Sequence, residues 1–320
     1  MKNRILLFIT FIFLFVSLSA QQLIKEEEVV LKTATGDIYG TLKVPMKDKT
    51  IPVVLVIAGS GPTDRKGNQP MMQNNSLAML TDGLYQKGIA TLSFDKRGIG
   101  ASMKALQRED DIRFEHYVED AKLWVDLLAK DKRFSGITVV GHSEGSLIGM
   151  LAAKNNKSVS KYVSVAGPGQ PANELLREQL NKQLATQPES VKNTVFSYLE
   201  KLEKGETFTD VPPMLLSLFR PSIQPYMISW FKYDPQKEIQ LLTIPILIVQ
   251  GTTDIQVSAE QADLLAKSNK KSQKMLLENM NHVLKESAAT DMQSQMSTYT
   301  NPSVPLHKEL IKVMSDFILK

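Results

Sequence analysis

The stretch VVGHSEGSLIG, residues 139–149, places Ser143 between Gly141 and Gly145 directly after an apolar run. That run has the composition of a buried strand, and the residues after Gly145 favour a helix. A strand, a tight G-x-S-x-G turn and a helix together form the context in which a serine is presented as a nucleophile. The alternative is an ordinary glycine-rich turn of an α/β protein, so the rest of the chain must supply the partners of Ser143.

A serine nucleophile needs a histidine base. The chain contains four histidines, His116, His142, His282 and His307. His282 follows the run KMLLE (274–278), at the carboxyl end of the last predicted strand, and catalytic groups gather at such ends. His142 adjoins Ser143 on the turn, His116 lies on an amphipathic helix, and His307 is expected at the surface. His282 is therefore the predicted base.

The base needs an orienting carboxylate, and Asp254 is the predicted acid. It lies in the loop after the run IPILIVQG (244–251), which predicts the penultimate strand. In the fold that carries this strand–turn–helix serine motif, the triad follows the chain order serine, acid, histidine. Asp254 as a simple turn residue is the alternative. Asp263 and Glu278 are the other acids considered, but both lie inside predicted regular elements.

The oxyanion of a tetrahedral intermediate needs two donors. The backbone N–H of Glu144, directly after the nucleophile, is the first candidate, and the N–H of Ser60 in the loop AGSGPTD (58–64) is the second. That loop also resembles a phosphate-binding loop, but no G-K-[ST] follows it, and Asp64 stands where a third glycine would be required. The sequence therefore predicts an oxyanion hole and no nucleotide cofactor.

The order of segments predicts an α/β fold with a mainly parallel central sheet and helices on both faces. An alternating segment at 28–45 predicts an antiparallel hairpin before it. Residues 170–240 contain no strand-like run and predict a helical cap inserted between two core segments, 21–169 and 241–320. Cap residues are expected to line a substrate pocket or, equally, to form the cap's own core; the pocket candidates are Met227, Trp230 and Phe231.

The first twenty residues differ in kind from the rest. Lys2 and Arg4 precede a nearly continuous apolar run, and small residues end it at Ala20. This layout predicts a cleaved signal peptide over residues 1–20, and hence a periplasmic or secreted bacterial protein without stable membrane insertion. A retained membrane anchor is the alternative.

Composition narrows the classes of function. The chain has 42% hydrophobic and 22% charged residues, as in a soluble globular protein. A net charge of +4 without a cluster of basic residues gives no support to nucleic-acid binding. The absence of cysteine rules out disulfides and thiolate nucleophiles, and four scattered histidines predict no metal site.

Three further stretches give the chain a resemblance to the α/β-hydrolase superfamily, and more closely to bacterial carboxylesterases of the EstD type and to serine-aminopeptidase-like hydrolases. They are IAGSGPTDRKGN (57–68), SFDKRGIGAS (93–102) and PILIVQGTTDIQV (245–257). The resemblance runs from about residue 28 to the C-terminus, weakest across the cap, and implies the same triad. Lys66 replaces an acid of the family, so no role of that acid is carried over. Asp95 and Arg97 are expected to stabilise their loop by an ion pair.

These observations predict a serine carboxylesterase that cleaves small or medium acyl esters, including acylated sugars or peptides, through an acyl-enzyme. Two alternatives are an aminopeptidase, which would need an acidic anchor for a free amine, and a non-catalytic binding protein of the same fold. The acyl and leaving groups do not follow from the triad.

Overall fold

The computed structural model describes residues 24–320. The predicted signal peptide, residues 1–20, lies outside the described residues. None of the described helices combines the length and the apolar character that a bilayer crossing requires.

Eight strands form one sheet. They are Glu26–Thr33 (β1), Gly36–Lys43 (β2), Ile51–Ile57 (β3), Ala90–Phe94 (β4), Phe134–His142 (β5), Val159–Val165 (β6), Ile246–Gly251 (β7) and Gln273–Leu277 (β8). Their spatial order is β1-β2-β4-β3-β5-β6-β7-β8, and all pairs from β4 to β8 are parallel. β1 and β2 form the predicted antiparallel hairpin, which joins the sheet at β4. The predicted mainly parallel sheet is confirmed.

Eleven α-helices are described. They are Ser76–Gln86 (α1), Phe114–Ala129 (α2), Glu144–Ala153 (α3), Ala172–Gln183 (α4), Glu189–Glu203 (α5), Leu216–Phe219 (α6), Gln224–Trp230 (α7), Pro235–Gln240 (α8), Ala259–Ser268 (α9), Met292–Thr300 (α10) and Leu310–Leu319 (α11).

The central strands are apolar throughout because both faces of the sheet are covered. In β3, Val53 and Leu55 point into a hydrophobic cluster shared with α2, α3 and α9. Between them, Val54 points to the opposite face, where α1 and α11 pack. The period of two along a strand therefore divides one apolar run between two cores. Helices on both faces, as predicted, follow from this division.

Helices α4 to α8 lie between β6 and β7, and residues 170–240 are called the cap below. The cap has a hydrophobic cluster of its own, which includes Leu180, Val195 and Phe219. The rest of the described chain is called the core. The exact domain boundaries stay a prediction.

The loop after β4 departs from the predicted ion pair. Asp95 accepts hydrogen bonds from the backbone N–H and the Nε of Arg65, at 2.8 and 3.1 Å. Arg97 instead donates its Nε to Asp120 at 2.7 Å. Asp95 and Arg97 thus each stabilise the loop, but through separate partners, because the oxygens of Asp95 are already occupied.

Candidate active site

Ser143 stands at the sharp turn between β5 and α3, with φ 55° and ψ −124°. This left-handed conformation is costly for a residue with a side chain, and it persists where the surroundings enforce it. A Cβ at Gly141 would lie 2.1 Å from the carbonyl oxygen of Gly145, and a Cβ at Gly145 would lie 2.3 Å from that of Ile57. Both glycines are therefore required by close backbone approach, as the sequence predicted.

The loop after β3 lies directly against this turn. A Cβ at Gly59 would be 3.1 Å from the Cβ of Ser143. Ser60 and Glu144, the predicted oxyanion donors, line the same cavity as Ser143. Glu144 is the first residue of α3, so its N–H has no acceptor inside the helix and is free to bind an anion.

The loops after β7 and β8 bring Asp254 and His282 together. The two loops are in close contact: a Cβ at Gly251 would lie only 1.9 Å from the carbonyl oxygen of Met280. The Nδ1 of His282 lies 2.8 Å from the Oδ2 of Asp254, and both residues are buried. The predicted neighbourhood of acid and histidine is present in the structure.

Four donors hold the Asp254 carboxylate. Besides His282, the amide of Gln250 donates to Oδ2 at 3.0 Å, and the backbone N–H groups of Gln256 and Val257 donate to Oδ1 at 2.9 Å each. Because a carboxylate only accepts, the neutral His282 ring must carry its proton on Nδ1. Its Nε2 is then the basic nitrogen, as a general base requires.

Ser143 and His282 line one cavity, but within the described chain no hydrogen bond joins the serine hydroxyl to the ring. Catalytic hydrogen bonds are often long before substrate binds, so this separation does not exclude transfer of a proton between them.

His142 supports His282 from the nucleophile side. Its Nε2 lies 2.8 Å from the backbone oxygen of His282, so that nitrogen must donate, and the two ring centroids are 5.0 Å apart. Burial, together with the neighbouring His282, lowers the pKa of His142 from 6.5 to about 4. His142 is therefore neutral at pH 7 and acts as a fixed donor.

A buried ionic cluster next to Ser143 was missed by the sequence reasoning, which assigned a role only to the N–H of Glu144. The Glu144 carboxylate is paired with the Nζ of Lys96 at 2.9 Å and accepts a hydrogen bond from the hydroxyl of Tyr226 in the cap. Lys96 also donates to the carbonyl oxygen of Gly59 at 2.6 Å. Lys96 and Glu144 are 1% and 2% exposed. A lysine directly after β4, next to Arg97 in the motif, was the available signal.

The other two histidines lie away from Ser143. His116 is part-buried at the start of α2 and accepts a hydrogen bond from the N–H of Arg113 at 3.2 Å. His307 was expected at the surface, and this is wrong: it is 3% exposed. Its Nε2 lies 3.0 Å from the carbonyl oxygen of Glu278, so packing of the terminal segment onto the β8 loop buries it.

Two cavities open at Ser143. One, of about 90 Å³, is lined by His282, and the other, of about 300 Å³, is lined largely by residues of the cap. Met227 and Trp230, two predicted pocket residues, line the larger cavity. Phe231, the third, is not part of that lining and packs against the hydrophobic cluster of the cap.

Among residues 24–320 no group of three or more acidic or histidine side chains is placed to hold a metal ion. The site described above consists of a serine, a histidine and a carboxylate with backbone donors.

Comparisons with known proteins show that the chain is similar to hydrolases. A model of the serine aminopeptidase family (S33) matches residues 73–209. Esterase EstD of Thermotoga maritima is 28% identical over 250 residues, which are 77% of this chain and 57% of EstD. The chain thus spans little more than half the length of that relative.

Solved structures with the same fold are more distant in sequence. Est1E of Butyrivibrio proteoclasticus, solved with ferulic acid bound, aligns with TM-score 0.61 at 16% identity, covering 91% of this chain and 100% of Est1E. The esterase Pf2001 of Pyrococcus furiosus aligns with TM-score 0.58 at 15% identity, covering 92% of this chain and 91% of that chain. The chain therefore has the α/β-hydrolase fold, and in sequence it is similar to EstD of Thermotoga maritima and, over residues 73–209, to the serine aminopeptidase family.

Proposed function

We propose that this protein is a serine carboxylesterase that works through an acyl-enzyme. The observation that carries the proposal is the hydrogen bond between Asp254 and His282, together with the position of His282 in the same cavity as a strained Ser143. In this proposal Ser143 is the nucleophile, His282 the general base and Asp254 its orienting group.

The reaction follows from the tautomer of His282. Its Nε2 takes the proton of the Ser143 hydroxyl as the serine oxygen bonds to the ester carbonyl carbon. The same proton then passes to the alcohol oxygen when the carbon–oxygen bond breaks. Water, activated by His282, hydrolyses the acyl-enzyme in the second half of the reaction. Asp254 stabilises the imidazolium formed in both halves.

The N–H groups of Ser60 and Glu144 are proposed to bind the oxyanion. Removal of one such donor typically lowers the rate by roughly 10²–10³-fold. Lys96 supports this arrangement because it binds Gly59 and Glu144 on either side of Ser143. Gly59 shares its peptide group with the N–H of Ser60, so a bond to that carbonyl oxygen restrains the direction of the N–H.

Ester hydrolysis is favoured over aminopeptidase activity by the charges in the larger cavity. An aminopeptidase would need a free carboxylate to bind the substrate's amine. Within the described chain, Glu144 is the one acidic residue that lines this cavity, and its carboxylate is occupied by Lys96 and Tyr226. The match to the serine aminopeptidase family keeps the peptidase as the second candidate.

The similar proteins support the proposed class of substrate. EstD and Pf2001 are named as esterases, and one Est1E structure contains ferulic acid. We extend to this chain only the hydrolysis of small-molecule esters. The apolar leader at residues 1–20 further supports export to the periplasm or the exterior.

Labelling with a fluorophosphonate probe tests the nucleophile. We expect the wild type to be labelled and Ser143→Ala to remain unlabelled. Ser146→Ala, on α3, is the matched control, because its hydroxyl is buried and bound to Tyr162 and Ser164. Labelling that persists in Ser143→Ala would overturn the assignment.

Substrate competition separates the two candidate activities. We expect p-nitrophenyl butyrate to be hydrolysed with a higher kcat/KM than alanine or proline p-nitroanilides. Faster cleavage of an anilide would replace the esterase proposal with the peptidase.

A further inference from the structure

Ser143 lies at the junction of the two cavities described above, and the cavities differ in chemistry. Ser60, Ser143 and Gln256 line both. His282 lines only the smaller cavity. A substrate bonded to Ser143 can therefore extend in two directions, of which only one passes the histidine. This inference rests on the function proposed above.

The direction of the leaving group follows from proton transfer. His282 must deliver a proton to the alcohol oxygen as it departs, so that oxygen must lie within hydrogen-bond reach of the ring. The alcohol then occupies the smaller cavity, and the acyl group occupies the larger one.

The larger cavity suits an apolar acyl group. Most of its cap side consists of aliphatic and aromatic side chains; these are Leu175, Leu176, Leu218, Ile223, Met227 and Trp230. Burial of each methylene of an acyl chain against such a surface favours binding, because it removes apolar surface from water.

Most residues that line the smaller cavity have polar side chains, although about half of its lining surface is apolar. They include Thr63, Gln69 and Asn74, and Tyr299 of α10 also lines the cavity. The Tyr299 hydroxyl accepts a hydrogen bond from Gln256 at 3.0 Å, and within the described chain it donates to no acceptor. Tyr299 is 2% exposed, and burial raises its pKa, so the hydroxyl keeps its proton at neutral pH. A buried donor is thus available to a ligand in this cavity.

We propose that the protein hydrolyses esters between an apolar acyl group and a short polyol such as glycerol, and that Tyr299 donates a hydrogen bond to a hydroxyl of the polyol. The cavity of about 90 Å³ has room for an alcohol of a few carbon atoms. The scissile carbon–oxygen bond breaks as Ser143 is acylated, and the proton taken from Ser143 leaves on the polyol oxygen.

Two esters with one acyl group test the alcohol side. Glyceryl 1-monobutyrate and n-propyl butyrate share a three-carbon alcohol skeleton and differ by two hydroxyls. Acid release in a pH-stat should give a kcat/KM about tenfold higher for the glyceryl ester, the size expected of one net hydrogen bond. Tyr299→Phe should lower this ratio by about five- to tenfold.

Leu218→Trp is the matched control on the acyl side. It narrows the larger cavity, so the ratio of kcat/KM for glyceryl hexanoate over glyceryl acetate should fall by about tenfold or more. The glyceryl-to-propyl ratio should not change. Melting temperatures of both variants establish that they fold.

An unchanged glyceryl-to-propyl ratio in folded Tyr299→Phe, or a wild type that prefers the propyl ester, would overturn the inference while leaving the esterase intact. Failure of the esterase proposal gives a different result, since the wild type would then hydrolyse neither ester.

Discussion

The core and the cap contribute to the same cavity but hold their residues by different means. In the core, Ser143 is fixed by backbone contacts too close for any side chain at Gly141 or Gly145, and Asp254 is held by four hydrogen bonds. The cap packs mainly on its own hydrophobic cluster. Its polar links to the core include Tyr226–Glu144, Arg220–Glu109, Tyr233–Glu115, Glu238–Lys154, Ser229–Phe114 and Gln179–Gln256.

The proposed catalytic residues thus lie in the core, whereas most residues proposed to contact the acyl group lie in the cap. Positions that must be accurate to a fraction of an ångström lie on strand ends, where the backbone determines them. Positions that choose an acyl group lie on helices whose packing tolerates replacement of similar volume. Substitutions of equal size should therefore cost much more in the core than in the cap.

The largest effect is expected for His282→Ala. Loss of the proposed base should lower kcat/KM for p-nitrophenyl butyrate by about 10⁴-fold or more. His116→Ala, which removes a part-buried histidine of α2 away from Ser143, should change it by less than about threefold. An equal loss in both variants would remove His282 from its proposed role.

Glycine replacements compare the two regions directly. Gly145→Ala places a Cβ against the Ile57 carbonyl and should destabilise the fold by about 4 kcal/mol or more. In the cap, a Cβ at Gly205 would meet no atom within 4 Å, but the residue has φ 79°. Gly205→Ala should therefore lower the free energy of unfolding by only about 1 kcal/mol, because of the left-handed backbone. Urea unfolding of both variants measures the two values. Similar losses would contradict the contrast between core and cap.

Breaking an ion pair should likewise lower the free energy of unfolding more in the core than in the cap. Lys96→Met leaves the Glu144 carboxylate buried without a cation and should cost about 3 to 5 kcal/mol. The double variant Lys96→Met/Glu144→Gln removes both charges and should recover most of that loss. In the cap, the Arg177–Glu203 pair is one-quarter to one-third exposed, so Arg177→Met should cost less than about 1 kcal/mol. If the double variant is as unstable as Lys96→Met, the loss of stability does not come from the unpaired charge of Glu144.

Much of the core could be predicted because a few adjacent residues determine where each strand ends. The glycines around Ser143 and the position of Asp254 between β7 and α9 each follow from a few adjacent residues. The chain order of serine, acid and histidine then selected His282 without knowledge of distances.

What could not be predicted depends on contacts between distant segments. The Lys96–Glu144 pair joins residues 48 positions apart, and its link to Tyr226 depends on how the cap packs. The burial of His307 and the separate partners of Asp95 and Arg97 are likewise tertiary. Phe231, directly after α7, was a pocket candidate because it is aromatic. Composition does not determine the direction in which its side chain points, and in the structure that side chain packs against the hydrophobic cluster of the cap.

The smallest effect concerns the acid stability of the core. All four histidines lie in the core and none in the cap, so histidine titration reports on the core alone. Burial lowers the pKa of His142 from 6.5 to about 4, so the unfolded chain binds a proton more readily than the folded one. The stability it contributes is full above pH 6.5 and is lost as the pH falls toward 4.

His142→Gln isolates this contribution, because glutamine can still donate to the His282 carbonyl oxygen but does not titrate. Between pH 7 and pH 4.5, the wild type should lose about 2 kcal/mol more unfolding free energy than the variant. Carboxylates titrate in both proteins, so their effect cancels in the difference. Parallel pH profiles would mean that His142 accepts a proton in the folded state as easily as in the unfolded one, and that its bond to His282 does not depend on the neutral ring.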